Sequence, residues 1–198
     1  MDEEAVRETR GGTTRRALLD AAAGLLEEGG VGAVTLRAVG ERVGVTKQAL
    51  HNHFADKATL LSVLAARYLW RLDEGMAEAA QKAEVPVEGL EAMVGAYVRF
   101  ALGSPSRYRL IGQEMSGSAY EEVHEAARSV HARFVGGVAA CQEADELPGG
   151  DPVELAAILF ATTHGAVELT LSGHAREEKG LGDPVELVEA LLVRLRRD

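Results

Sequence analysis

The stretch TLRAVGERVGVTKQALHNHFADK, residues 35–57, carries the pattern of two short helices joined by a tight turn and followed by a third helix. Apolar residues recur at helical spacing from Leu36 to Val43. Gly44 follows at the position where the C-terminus of a helix favours a residue that can adopt positive φ. Thr46 then offers a hydroxyl group as the N-cap of a new helix. The stretch therefore predicts a helix-turn-helix.

The second helix of this motif divides its residues between two faces. Its apolar side is formed by Val45, Ala49, Leu50 and Phe54, and its outward side by Lys47, Gln48, His51 and Asn52. Two helices this short bury little surface on their own. The outward set is therefore either solvent-facing decoration or the surface that the motif presents, as when a helix-turn-helix lies in a DNA major groove.

From about Thr14 to Leu64 the chain resembles the DNA-binding region of tetracycline-repressor (TetR) type transcriptional regulators. The matching residues are Thr35, Arg37, Gly44-Val45-Thr46, Ala49-Leu50, His53-Phe54 and Asp56-Lys57. The chain departs from the family pattern at two positions, with His51 in place of the usual tyrosine and Gly40 in place of the usual alanine. The tyrosine contacts a phosphate through its phenol in the family, and an imidazole can still donate to phosphate.

The resemblance implies a set of DNA contacts. Lys47, Gln48, His51 and Asn52 are expected to read or brace the major groove, while Thr35, Arg37, Thr46 and Lys57 fix the register. Ala49 and His53 complete the expected set. Asp56 is a good N-cap, and Lys57 beside the free N–H groups of that helix start can hold a phosphate. Arg15 and Arg16 are either further phosphate contacts or a solvated helix end.

The composition favours an all-α protein with a sizeable core. The 198 residues are 46% apolar, with five prolines and a single cysteine, Cys141, which we expect to be buried in a reducing compartment. We predict about nine helices, with a three-helix DNA-binding head at residues 1–56 and a helical effector-binding and dimerisation body at residues 57–198. No secretion signal or uninterrupted run of roughly 18 apolar residues is visible. We therefore expect a cytoplasmic protein without a membrane segment.

The net charge of −10 is unevenly distributed along the chain. Residues 1–60 hold 8 basic and 9 acidic side chains, so −9 of the net charge lies in residues 61–198. The local sign of charge governs contact with phosphate groups more than the charge of the whole chain does. An acidic body is therefore compatible with a head that binds DNA.

The periodicity predicts a succession of helices on either side of the motif. The predicted helices span residues 14–28, 57–83, 86–102, 106–112, 117–144, 151–172 and 183–196. The first ends at Gly29-Gly30, with a linker over residues 31–34. The last two both begin with Asp-Pro-Val-Glu-Leu, which supplies an N-cap and a proline at the first helical position.

The two last helices, at about residues 151–172 and 183–196, carry wide apolar stripes. A wide stripe is ordinarily core, yet two such helices and their symmetric copies would form a four-helix interface, as the TetR resemblance implies. We therefore expect a homodimer. Two recognition helices about 34 Å apart would reach successive major grooves of a palindromic double-stranded operator.

The body also resembles a C-terminal domain found in some TetR regulators and marked by a Trp-His-Gly motif. The matching segments are residues 97–101, 105–110 and Thr163-His164-Gly165, with threonine where tryptophan is usual. In TetR-type regulators the body holds a small-molecule pocket, although an aromatic or methionine stripe is also typical of plain core. The candidate effector-binding residues are Trp70, Met93, Tyr97, Phe100, Met115, Tyr120, His124, Phe160, His164 and Glu168. Of these, His124, His164 and Glu168 are the candidate polar anchors of a mostly apolar effector.

The sequence contains no recognisable catalytic or metal-binding motif. His-x-x-x-His, Cys-x-x-Cys, a glycine-rich phosphate loop and Gly-x-Ser-x-Gly are all missing from the 198 residues. We therefore expect no enzyme, no metal and no cofactor. The leading hypothesis is a ligand-responsive DNA-binding repressor. The alternatives are an interaction protein whose helix-turn-helix packs on another protein, and a helical enzyme with an incidental three-helix head.

Overall fold

The computed structural model describes the backbone of residues 3–113 and 120–196 and the side chains from residue 12 onward within those ranges. The described residues form nine α-helices and one short 3₁₀ helix, Glu177–Lys179, which confirms the predicted all-α fold. The helices are α1 (Glu3–Ala33), α2 (Leu36–Val43), α3 (Lys47–His51), α4 (Lys57–Ala80), α5 (Pro86–Gly103), α6 (Pro105–Ile111), α7 (Tyr120–Glu143), α8 (Pro152–Leu171) and α9 (Pro184–Leu195).

The chain divides into two compact units. Unit 1 comprises Met1–Tyr68 and Arg109–His124, and unit 2 comprises Leu69–Tyr108 and Glu125–Asp198. Helices α4, α6 and α7 each contribute residues to both units. The predicted division of function between residues 1–56 and 57–198 stays a prediction.

Unit 1 is built around the packing of α1 on α2 and of α2 on α3. Its fully buried apolar side chains include Leu18, Ala22, Leu26, Val39, Leu50 and Phe54. Helix α1 starts earlier than the predicted residue 14, and its first residues include good helix formers such as Glu, Ala and Arg. At Gly29 and Gly30 the backbone is non-helical, with φ of 67° at Gly30, but a further helical turn reaches Ala33. The prediction that residues 31–33 are linker is therefore wrong.

Unit 2 is built around α5, which packs against α8 and α9. The N-cap predictions for α8 and α9 are confirmed. The carboxylate of Asp151 accepts from Val153 N at 2.9 Å, and that of Asp183 accepts from Val185 N at 2.7 Å. These bonds satisfy amide groups that the first turn of a helix leaves free, so both helices begin where the sequence predicts.

The remaining helix boundaries differ from prediction by a few residues where both ends are described. Helix α4 ends at Ala80 rather than at residue 83, and α6 begins one residue earlier than predicted, at Pro105. Helix α7 begins at Tyr120, whereas its predicted start at residue 117 lies outside the described residues. The thiol of Cys141 is buried as expected, and burial raises its pKa to about 11.

Helix α8 combines high apolarity with low burial. By length and composition it is the one helix of the described residues that could cross a membrane, with a mean hydropathy of 1.2 over 18 residues. From the sequence we expect no such segment, because Glu154, His164 and Glu168 interrupt the apolar run. The mean hydropathy of α8 nevertheless qualifies it, so the finding differs from the expectation. Only 28% of that window is buried. An interface helix of a soluble protein has the same composition.

Candidate functional site

The turn between α2 and α3 has the geometry that its glycine allows. Gly44 has φ of 75°, in the left-handed region, and its N–H donates to the carbonyl of Gly40 at 2.9 Å. The hydroxyl of Thr35 accepts from Ala38 N at 3.1 Å, and that of Thr46 accepts from Ala49 N at 3.2 Å. Both predicted N-caps are confirmed. The caps fix where α2 and α3 begin and so fix which side chains α3 presents.

Helix α3 exposes polar side chains on one side and buries Leu50 on the other. Lys47, Gln48 and Asn52 are exposed, and Gln48 Nε2 lies 3.5 Å from Asn52 Oδ1 across one helical turn. The other predicted contact residues of this region, Ala49, His51 and His53, are half-buried. The structure therefore offers three long polar side chains at the solvent surface of unit 1.

A groove of about 610 Å³ runs between α2 and α3. Apolar residues from both helices form part of its lining, together with charged groups and an imidazole. The lining residues are Leu36, Arg37, Gly40, Glu41, Val45, Lys47, Leu50 and His51. A Cβ added at Gly40 would lie 3.5 Å from Leu50 Cδ1, an ordinary contact, so packing does not require glycine there.

Ion pairs constrain the arginines of α2. Arg37 donates to Glu41 at 2.8 Å on the exposed surface, and this hydrogen bond to the carboxylate raises the pKa of the Arg37 guanidinium. Arg42 donates to Glu28 of α1 at 2.7 Å, and this hydrogen bond lowers the pKa of Glu28. Exposed pairs of this kind contribute little to stability. Arg37 can therefore exchange Glu41 for a phosphate at small cost.

Lys57 has a partner that the sequence does not reveal. Its ammonium donates to the carbonyl of Val31 at 2.8 Å and is half-buried. The neighbouring Asp56 accepts from Thr59 N at 2.7 Å, which confirms the predicted N-cap of α4 and lowers the pKa of that carboxyl. Because an ammonium group has three protons, Lys57 can hold Val31 and a phosphate oxygen together.

A second basic surface lies on α1 and α4. Arg15, Arg16 and Arg67 line a cleft of about 410 Å³ together with Gly12 and Leu19. The guanidinium of Arg15 lies 5.5 Å from the centre of the Phe54 ring, and Arg67 pairs with Asp20 at 2.6 Å. Arg67 is missing from the sequence-based candidates. In the sequence, Arg67 is distinguished only as a basic residue within a largely apolar helix.

In unit 2 the structure brings three candidate effector residues together. The Tyr97 hydroxyl lies 3.2 Å from His164 Nδ1, and the Phe160 ring stacks on the His164 ring at 5.7 Å. Two residues absent from the candidates complete this aromatic cluster. The Tyr108 hydroxyl lies 2.6 Å from His164 Nδ1 and 3.2 Å from the Tyr97 hydroxyl. The centres of the Phe134 and Tyr97 rings are 6.1 Å apart. Tyr108 lies in the segment 105–110, which resembles a TetR C-terminal domain, and this resemblance is the sequence signal that could have identified it.

The two phenols of this cluster stay protonated at physiological pH. Burial raises the pKa of Tyr97 to about 12, and burial together with the nearby Tyr97 and Glu168 raises the pKa of Tyr108 further. Each phenol therefore keeps a proton to donate. The cluster is an apolar aromatic environment with three convergent polar atoms.

Of the other effector candidates, Glu168 lies near Tyr97 and Tyr108, and the rest are dispersed. The rings of Tyr120 and His124 lie 4.0 Å apart, centre to centre, and are tilted by 47°, but both residues are exposed and belong to unit 1, whereas the aromatic cluster belongs to unit 2. Met93 is buried and lies so close to Gly137 that an added Cβ there would be 2.4 Å from Met93 Cε. Trp70 and Phe100 are half-buried, Glu168 is exposed, and Met115 lies outside the described residues. Within the described residues, no three His, Cys, Asp or Glu side chains are grouped to hold a metal ion.

Two segments of the chain match known protein families. Residues 18–64 match the family described as bacterial regulatory proteins of the tetR family, and residues 90–195 match the tetracyclin repressor-like C-terminal domain. The chain belongs to the TetR family. The resemblance carried by residues 35–57 is therefore confirmed, and the body matches a TetR C-terminal domain as well.

Individual TetR relatives agree with this assignment. The chain is 30% identical over 97 residues to the HTH-type transcriptional regulator YobS of Bacillus subtilis, covering 49% of this chain and 50% of YobS. It is 35% identical over 95 residues to the HTH-type transcriptional repressor KstR of Mycolicibacterium smegmatis, covering 48% of this chain and 44% of KstR. The chain thus spans about half the length of the curated relatives it matches.

A solved structure is similar over almost the whole chain. A protein of unknown function from Rhodococcus sp. RHA1 is 30% identical with a TM-score of 0.79, and the match covers 92% of this chain and 95% of that one. The two units together therefore have the fold of this solved protein, and the two TetR family matches fall in residues 18–64 and 90–195.

Proposed function

We propose that this chain is a ligand-responsive, sequence-specific DNA-binding transcriptional regulator that acts as a repressor. The observation that carries the proposal is the capped helix α3, which exposes Lys47, Gln48 and Asn52 in a chain of the TetR family. A helix of this kind reads base edges in a major groove. A head that occupies an operator blocks transcription, and a small, mostly apolar effector in the body would release it.

The proposed DNA contacts divide into two groups by their chemistry. Residues 1–56 form the DNA-binding domain, extended by Lys57 at the start of α4. Lys47, Gln48 and Asn52 face the bases from the exposed side of the motif, and the methyl group of half-buried Ala49 is the remaining proposed base contact. The proposed contacts to the DNA backbone are Thr35, Arg37, Thr46, His51, His53 and Lys57.

The uncovered apolar surface of α8 and α9 supports a homodimer. Three large apolar side chains on these helices are exposed, Val153 at 48%, Ile158 at 55% and Val193 at 60%. A second copy of the chain would cover them in a symmetric four-helix interface. The dimer would place two α3 helices on successive major grooves, so the operator would be a palindrome.

The aromatic cluster of unit 2 is the proposed effector anchor. Tyr97, Tyr108 and His164 supply three polar atoms within 3.2 Å of one another, surrounded by Phe134 and Phe160. A mostly apolar effector with one polar group fits this chemistry. A thermal-shift screen of apolar metabolites and drugs would find such an effector, since a ligand that binds the folded state raises Tm. A Tyr108→Phe variant that keeps the full Tm shift would contradict the assignment.

The proposed regulator acts by binding, without catalysis or a cofactor, in the cytoplasm. Only the partly exposed α8 has the composition of a membrane helix among the described residues, and the proposed dimer covers it. The interaction-protein and enzyme alternatives predict no selective DNA binding. We therefore expect selection from a pool of random duplexes to enrich one palindromic sequence, whereas a pool that stays unenriched would refute the proposal.

A pair of substitutions separates base contacts from phosphate contacts. Lys57→Ala should weaken binding to all duplexes by about the same factor, because a phosphate contact carries no sequence information. Gln48→Ala should cost about 1–3 kcal/mol on the selected operator and relax preference at one base pair. Both are measured by titration at fixed salt concentration, since phosphate contacts depend on salt.

Lys82→Ala is the matched control for these titrations. Lys82 is an exposed lysine of unit 2 outside the proposed DNA contacts. Its removal should leave affinity and base preference unchanged. Equal behaviour of all three variants would show that α3 and the start of α4 are not the DNA-binding surface.

A further inference from the structure

His51 is fixed by a hydrogen bond that determines where its proton resides. Its Nδ1 lies 3.1 Å from the carbonyl oxygen of Ala55. A carbonyl oxygen can only accept, so Nδ1 carries the hydrogen and donates it. A neutral imidazole has one N–H, so Nε2 of neutral His51 presents a lone pair. Within the part of the chain that the structure describes, Nε2 has no hydrogen-bond partner.

The surroundings of the ring favour an anion. His51 lines the groove between α2 and α3 with two cations, Arg37 and Lys47. Glu41 also lines the groove, and its carboxylate is paired with Arg37 at 2.8 Å. The segment that follows the ring carries further titratable groups, His53, Asp56 and Lys57, of which Asp56 is bonded to Thr59 N and Lys57 to the Val31 carbonyl. The charge facing the ring inside the groove is therefore positive.

We propose that His51 is a proton-linked phosphate contact: protonated at both ring nitrogens, it holds a DNA backbone phosphate through Nε2–H, so operator affinity rises as pH falls. The proposal rests on the proposed DNA-binding function. A phosphate oxygen can only accept, and the lone pair of a neutral Nε2 would repel it. Binding therefore requires the imidazole to take up a proton.

A contact between Nε2 and a base, in place of a phosphate, would give the opposite pH dependence. An amino group of adenine or cytosine would donate to the neutral Nε2. Protonation of the ring would abolish that bond, and operator affinity would fall as pH falls. The sign of the pH dependence therefore separates a phosphate contact from a base contact.

The number of protons taken up on binding determines how operator affinity depends on pH. If DNA binding favours the imidazolium, the complex holds more protons than the free protein and the free duplex do, so affinity declines as pH rises. Histidine ordinarily changes charge between about pH 5 and pH 8. Each proton taken up changes the association constant by at most about tenfold per pH unit.

The test is a titration of the selected palindromic duplex at constant ionic strength from about pH 8 to about pH 6. Wild-type affinity should rise on the order of tenfold over this range, as expected of a charge-assisted hydrogen bond. His51→Gln should lose the part of the slope that His51 contributes, because the glutamine amide donates at every pH. His174→Gln is the matched control, since His174 is exposed in unit 2, and should keep the wild-type slope.

Calorimetry of wild-type protein in two buffers of different ionisation enthalpy gives a test without a variant. Uptake of up to one proton per subunit on binding supports the proposal. A flat wild-type profile with tight binding, an inverted profile or a slope that is unchanged in His51→Gln overturns it while leaving DNA binding intact. Failure to bind any duplex at any pH overturns both this inference and the proposed function.

Discussion

Replacing Ile158 with Asp is expected to dissociate the dimer and to lower operator affinity by roughly a hundredfold or more, because the two heads would no longer bind as one molecule. Ile158 is 55% exposed on α8, so the carboxylate is solvated in a monomer and buried without a partner in the proposed interface. Sedimentation velocity measures the loss of dimer, and titration of the selected operator measures the loss of affinity.

Val85→Asp is the matched control for this substitution. Val85 is also a large exposed apolar residue, at 41%, but it precedes α5 instead of lying on α8 or α9. The Val85→Asp variant should remain dimeric, with unchanged affinity for the operator. Circular dichroism of both variants checks that the helices persist. A dimer that survives Ile158→Asp would show that the interface lies elsewhere.

Replacing Asp73 with Asn is expected to give the largest loss of stability among the polar substitutions considered. Both carboxylate oxygens of Asp73 accept from Arg133, each at 2.6 Å, and the Asp73 side chain is only 9% exposed. The variant leaves the guanidinium without its counter-charge. Because Arg133 is 30% exposed and partly solvated, the expected loss is about 2 kcal/mol, less than for a fully buried pair.

The same pair predicts a pH dependence. The hydrogen bonds from Arg133 lower the pKa of Asp73 in the folded protein. A depressed folded-state pKa contributes stability that is complete above the unfolded-state value, about 3.9, and is lost as pH falls through the folded-state value. The stability difference between wild type and Asp73→Asn should therefore be constant near neutral pH and shrink below about pH 4.

Urea unfolding at several pH values measures this difference. Asp20→Asn is the control, because the Asp20–Arg67 pair is similarly short, at 2.6 Å, but the Asp20 side chain is 51% exposed. An exposed pair contributes about 1 kcal/mol or less. If Asp73→Asn costs no more than Asp20→Asn, the buried pair does not stabilise unit 2.

The features that the sequence predicts well are those determined by a few neighbouring residues. Gly44 ends α2 and Thr46 begins α3 because a positive φ and a capping hydroxyl act within one helical turn. Asp151 and Asp183 begin α8 and α9 for the same reason. Local chemistry of this kind is visible in sequence.

The features that the sequence misses depend on residues far apart in the chain. The Lys57 ammonium bonds to a carbonyl 26 residues away, and Asp73 pairs with Arg133 60 residues away. No periodicity encodes either contact. Tyr120 and His124 are candidate effector residues by side-chain type, and type alone does not distinguish their exposed rings from the buried ring of Tyr97. Their role stays a prediction.

The central claim is that the outer side of α3 docks against bases in a DNA major groove. A crystal structure of the protein bound to its selected duplex tests this claim most directly. We predict that Gln48 and Lys47 lie within hydrogen-bond distance of base edges, with two α3 helices about 34 Å apart on successive major grooves. An α3 that packs against protein, or faces solvent while another surface holds the duplex, would contradict the account.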